Sequence, residues 1–100
     1  MKLRIKGNTI RIRLTNKEVQ MLVNGEKIEN ATVFPSAILT YLMQPSDKGG
    51  ADFIDNSIQI NLTKEEIGIL SAEDDKGISK EIPTEKGNKL SILVEQDLLA

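Results

Sequence analysis

Asn8-Thr9-Ile10-Arg11-Ile12-Arg13-Leu14-Thr15 returns 48 residues later as Asn56-Ser57-Ile58-Gln59-Ile60-Asn61-Leu62-Thr63, and this echo decides the fold. The match runs on through Glu18 with Glu66, Val19 with Ile67 and Leu22 with Leu70, so that seven of the fifteen positions from residue 8 to residue 22 are identical. Within each stretch the apolar residues alternate with polar ones: Ile10, Ile12 and Leu14 in the first, Ile58, Ile60 and Leu62 in the second. That is the period-two pattern of a strand with one buried face. Thr15 with Glu18, and Thr63 with Glu66, then form capping-box signatures, in which the hydroxyl and the carboxylate satisfy free amides at a helix start. A short helix is predicted after each. Val19, Leu22 and Val23, and in the second copy Ile67 and Leu70, supply one buried face. Asn24-Gly25 marks the end of the first helix.

Outward from these stretches, Leu3 and Ile5 alternate with Lys2, Arg4 and Lys6, and Gly7-Asn8 offers a tight turn, which predicts a hairpin. Ala51 and Phe53 before Asp55-Asn56 predict its counterpart. Each copy closes with a further strand pair, 27–33 with 37–43 and 78–83 with 89–95, in which Leu39, Tyr41 and Met43 align with Leu90, Ile92 and Val94. The offset has grown to 51 here, so the second copy carries three more residues, placed either in the loop 73–77 or in the turn 84–88. Leu42 and Leu93 face away from their apolar neighbours, which predicts strands buried on both sides at the centre of the body. The predicted fold is α+β, mostly antiparallel strands with two short helices. A duplicated strand-strand-helix-strand-strand unit makes one pseudo-twofold domain over residues 1–100: repeat 1 is 1–44, the linker 45–50 and repeat 2 is 51–97. Six linker residues are too few to hold two domains apart, so the copies share a core.

Composition agrees with a globular domain: 39% of the 100 residues are hydrophobic and 28% charged. No apolar run approaches the roughly 18 residues that cross a bilayer, and no secretion signal is legible, so a cytoplasmic location without membrane attachment is expected. The sequence has no cysteine and no histidine. Thiolate chemistry, disulfides, the commonest zinc ligand and the usual proton shuttle near neutral pH are thereby excluded. Asp74-Asp75 and Glu65-Glu66 lack calcium-loop spacing, and Lys89 and Ser91 have no base beside them in the sequence. Neither a catalytic residue, a metal site nor a cofactor is assigned.

The segment from Gly7 to Thr15, leading into a capped helix, resembles the swapped-hairpin unit of AbrB-type transition-state regulators and MazE-type antitoxins. The resemblance implies two interleaved units, here within one chain, and nucleic-acid binding as an activity to look for. A proline often opens the helix in those proteins, whereas Thr15-Asn16 and Thr63-Lys64 have none. Over nearly its whole length, from Met1-Lys2-Leu3-Arg4-Ile5 to Leu90-Ser91-Ile92-Leu93-Val94-Glu95-Gln96-Asp97, the chain is similar to an uncharacterised bacterial family of unknown function. That similarity implies no activity.

The formal net charge is only -2, yet residues 1–17 hold Lys2, Arg4, Lys6, Arg11, Arg13 and Lys17 without an acid. A two-residue turn at Gly7-Asn8 sets Arg4 opposite Arg11 and Lys2 opposite Arg13 on the solvent side, with Leu3 and Ile5 toward the core. Like charges directly across a strand pair are destabilising. Either acids of the chain itself (Glu65, Glu66, Asp74, Asp75 or Glu81) cover this ribbon, or Lys2, Arg4, Lys6, Arg11 and Arg13 hold an external polyanion such as nucleic acid. At the equivalent face the second copy has Asp52, Gln59 and Asn61, so a symmetric two-sided grip is broken. Tyr41 and Phe53 are expected in the core, which leaves no stacking platform for single strands. The expected function is a non-catalytic interaction or regulatory module with a protein partner, the alternative a nucleic-acid-binding regulator or antitoxin-like protein that uses the basic ribbon. The oligomeric state stays open between a monomer with an internal pseudo-dimer and a homodimer.

Overall fold

A computed structural model of the chain describes residues 1–72 and 77–97. The elements follow in the order β1 (Lys2–Lys6), β2 (Thr9–Leu14), α1 (Asn16–Val23), β3 (Ile28–Val33), β4 (Ile38–Pro45), β5 (Gly50–Ile54), β6 (Ser57–Leu62), α2 (Lys64–Ser71), β7 (Ile78–Pro83) and β8 (Lys89–Gln96). Both helices start on complete capping boxes: Thr15 and Thr63 accept from the amides of Glu18 and Glu66, whose carboxylates accept in return from the threonine amides at 2.9 Å. Two more residues join helix to strand in the second copy (72–77 against 24–27) and one more lies in its closing turn (84–88 against 34–37). These are the three extra residues, divided between the two places the sequence offered. The connection between copies shortens to residues 46–49, because β4 reaches Pro45 and β5 begins at Gly50.

The strands form two four-stranded sheets in the orders β1-β2-β8-β7 and β3-β4-β6-β5. Each sheet therefore joins the opening hairpin of one copy to the closing hairpin of the other. The seams are the parallel pairs, Ile10 beside Ile92 and Ile12 beside Val94 in β2–β8, Ile58 beside Tyr41 and Ile60 beside Met43 in β6–β4. All other pairings are antiparallel. The two copies thus interlock around one core of Ile10, Ile12, Leu14, Ile28, Met43, Ile58, Ile60, Leu62, Ile78, Ile92 and Val94, joined by Val19, Leu22, Ile67 and Leu70 from the helices. Every buried side chain among the described residues is apolar.

Helices α1 and α2 pack against each other at one end of the body, where β2 and β6 finish. Burial follows that plug. Leu14 and Leu62 at the helix end are fully buried, whereas Ile10 and Ile58 near the hairpin turns are 8% exposed, and directly opposite them on the edge strands β1 and β5 Ile5 reaches 55% and Phe53 61%. Strand alternation points Ile5 and Phe53 inward as the pattern requires, but no layer of the described residues closes the tip end over them. Their expected burial is corrected on that account. Leu42 and Leu93 do sit in interior strands, but their outward faces are only half-buried, each flanked by polar neighbours: Glu29 and Gln59 for Leu42, Ser79 and Arg11 for Leu93.

Candidate functional site, a basic ribbon and an open apolar mouth

The hairpin β1–β2 has the register that a two-residue turn requires, with Lys6 beside Thr9, Arg4 beside Arg11 and Lys2 beside Arg13. Gly7 takes φ of +54°, a left-handed conformation that glycine adopts without steric cost. In the second copy the two-residue turn differs: Asp55 and Asn56 are both at positive φ, as a type I′ turn demands, whereas in the first copy only Gly7 is. Lys2, Arg4, Lys6, Arg11 and Arg13 all project from the outer face of one sheet. Lys2, Leu3, Arg4, Arg11 and Arg13 line a small cleft of about 120 Å³ there.

Neutralisation comes from β8 and the residue after it. Glu95 Oε1 accepts from Arg11 Nε at 2.6 Å, and Asp97 Oδ2 accepts from Lys2 Nζ at 3.3 Å. The hydrogen bond and the charge of Glu95 push the Arg11 pKa up, so this guanidinium stays charged. The acids expected over the ribbon are elsewhere. Glu66 lies 3.0 Å from Lys80 at the start of α2, and Glu81 lies 3.6 Å from Lys89 on the far strand of the sheet. Glu65 stands in the first turn of α2. Asp74 and Asp75 lie outside the described residues. Glu95 was not singled out from the sequence because the parallel β2–β8 seam alone brings it beside Arg11 and Arg13. Arg4, Lys6 and Arg13 have no ion pair among the described residues.

A second feature lies at the opposite end from the helices. At the tip end the two sheets diverge around a groove of about 960 Å³. Part of its apolar lining is paired by the internal repeat, Ile5 with Phe53, Ile10 with Ile58 and Leu39 with Leu90, whereas Ala51, Ile82 and Pro83 line it without a counterpart. The pseudo-twofold axis therefore passes through the mouth. A signal for it existed in the sequence, since helices follow β2 and β6 but nothing of comparable length follows the turns at the other end.

At the helix end the chemistry is structural. Burial raises the pKa of Glu18 and of Glu66, but their hydrogen bonds and the adjacent cations, the Met1 ammonium for Glu18 and Lys80 for Glu66, outweigh it and hold both carboxyls below the usual range. Among the described residues no group of three or more carboxylates is arranged to hold a metal, and no helix is long and apolar enough to cross a membrane. No curated protein matches the chain. Residues 1–99 match the model of the family of unknown function designated DUF7009, and the chain belongs to that family.

Proposed function

We propose that the protein is a non-catalytic binding module whose ligand is the phosphate backbone of a nucleic acid duplex, held on the basic ribbon of β1–β2. The observation that carries this reading is an internal control. The five positions of Lys2, Arg4, Lys6, Arg11 and Arg13 are occupied in the other copy by Gly50, Asp52, Ile54, Gln59 and Asn61, and the same hairpin forms there. The fold does not need the bases. Placing Arg4 opposite Arg11 and Lys2 opposite Arg13 costs stability, and among the described residues the ion pairs of the ribbon are those of Arg11 with Glu95 and Lys2 with Asp97. Arg4, Arg13 and Lys6 keep their charge for an external anion.

The geometry favours contact with phosphates over insertion into a groove. Strand β2 is bonded to β8 on its other side, so the ribbon is the margin of a four-stranded sheet and not a free two-stranded arm. Backbone contacts of this kind position a protein without reading bases. None of the three aromatic residues, Phe34, Tyr41 and Phe53, lies on this face, which favours duplex over single strands. A regulatory role through duplex binding is consistent with this chemistry. A protein partner has a separate observation in its favour, the open apolar mouth.

Fluorescence anisotropy of a labelled random-sequence duplex at several salt concentrations tests the reading. Three phosphate contacts give a log-log salt slope of about -3. The Arg4→Gln, Lys6→Gln, Arg13→Gln variant should flatten that slope toward zero. Absence of binding by the native protein at low salt would overturn the proposal.

A further inference from the structure

We infer that Glu95 and Asp97, at the end of β8, are built-in competitors for the basic ribbon: they occupy Arg11 and Lys2 and hold its phosphate contacts to three. The inference rests on the phosphate reading of the ribbon and names what sets its strength.

The pattern of pairing is the first observation. Two like-charged pairs stand across β1 and β2, Arg4 with Arg11 and Lys2 with Arg13. In each pair one member has an acid and the other has none among the described residues: Glu95 Oε1 lies 2.6 Å from Arg11 Nε, and Asp97 Oδ2 lies 3.3 Å from Lys2 Nζ. One carboxylate per opposed pair is the smallest number that offsets both repulsions. Arg4 and Arg13 are left without an ion pair among the described residues, as is Lys6 opposite Thr9.

Placement is the second. In the parallel seam Glu95 stands beside Arg13, yet its carboxylate is bonded to Arg11. The seam continues one residue past β8, where the Asp97 amide donates to the Leu14 carbonyl at 2.6 Å. Backbone pairing thus fixes both acids against the ribbon. A carboxylate satisfies a guanidinium through the same charge-assisted hydrogen bonds as a phosphate, so Glu95 holds the seat that a phosphate would take. With its two side chains 36% and 33% exposed, this pair is open to solution.

The other sheet supplies the comparison. There Gln44 stands where Glu95 does and donates to its register partner Asn61 at 3.0 Å. Ser46 stands where Asp97 does, and its amide donates to the Leu62 carbonyl at 2.9 Å. The same seam therefore forms with neutral residues at both positions, on the face that has no opposed cations. The two acids go with the cations and not with the strand pairing.

Anisotropy of the labelled random-sequence duplex over a range of salt tests this with Glu95→Gln, which keeps the shape of the side chain and removes its charge. The slope should steepen from about -3 to about -4 as Arg11 joins the contacts, and affinity at low salt should rise about tenfold. Asp97→Asn should act in the same direction through Lys2. Adding Arg11→Gln to Glu95→Gln restores the native net charge and should return the slope to about -3. A merely structural Glu95 would lower the urea midpoint of Glu95→Gln and leave the slope unchanged. Native binding with an unchanged slope in Glu95→Gln overturns the inference alone, as does a steepened slope that persists in the double variant. Absence of binding by the native protein and by Glu95→Gln at low salt overturns it together with the ribbon reading.

Discussion

The outer faces of the two sheets are the same structure carrying different chemistry. On one, Arg11 and Arg13 lie beside Glu95, and Arg11 is bound to it at 2.6 Å. On the other, the equivalent Gln44 donates to Asn61 at 3.0 Å, a neutral pair. The inner faces show no such divergence: Ile10, Ile12 and Leu14 match Ile58, Ile60 and Leu62 residue for residue. Both capping boxes survive as well, and each capping glutamate has found a cation, although one is the Met1 ammonium and the other Lys80. Inward positions and caps are therefore what the fold requires twice, and the outer face is where the copies are free to differ. The basic residues accumulate on the free side.

The largest effects should come from the shared positions. Leu14→Ala and Leu62→Ala each remove a fully buried side chain from the helix end of the core. Each should cost about 2–5 kcal/mol in urea unfolding. Similar losses would uphold the equivalence of the copies, and a strongly unequal pair would break it.

Transplanting one outer face onto the other comes next. Arg4→Asp, Arg11→Gln and Arg13→Asn give the first copy the residues of the second. Duplex binding measured by anisotropy should disappear while stability stays within about 0.5 kcal/mol, the usual scale for surface changes. The reverse transplant, Asp52→Arg, Gln59→Arg and Asn61→Arg, should add a second binding face and steepen the salt slope. Loss of folding in either transplant would mean that the outer faces are structural after all.

Removing one cap hydroxyl is a smaller change. Thr15→Ala and Thr63→Ala should each lower stability by about 1 kcal/mol, read from the shift of the urea midpoint. The smallest effect concerns acid. Because Glu66 is held below the unfolded carboxyl value of about 4.3, its contribution is complete above that value and is lost as pH falls through the lower folded one. Glu66→Gln should be less stable than the native chain at pH 7 and should lose less on acidification, as thermal melts between pH 7 and pH 3 would reveal. An equal loss in both proteins would place the acid sensitivity elsewhere.

The ribbon was legible because its register depends on local chemistry. Gly7-Asn8 makes a two-residue turn, and once that turn is given, Arg4 must face Arg11. What neutralises the ribbon was not legible. Glu95 is 84 residues from Arg11 in the chain, and nothing in a local pattern names the strand that pairs with β2. The mouth was hidden for a related reason. Alternation tells which side of a strand is apolar, and so predicts Ile5 and Phe53 in the core, but it is silent on whether another layer arrives to cover that side.

By itself, then, the sequence determined the duplication, the strands and their apolar faces, the two capped helices and the tight turns. These follow from steric and hydrogen-bonding preferences that act within a few residues. Only the tertiary structure decided that each opening hairpin pairs with the closing hairpin of the other copy through the parallel seams β2–β8 and β4–β6. It also decided that Glu95 rather than Glu66 or Glu81 lies at Arg11, and that the helices close one end of the body and leave the other open. The physical reason is that a strand offers donors and acceptors on both edges to any partner. Which partner takes them depends on burying all the apolar faces at once, a condition on the whole chain and not on any segment of it.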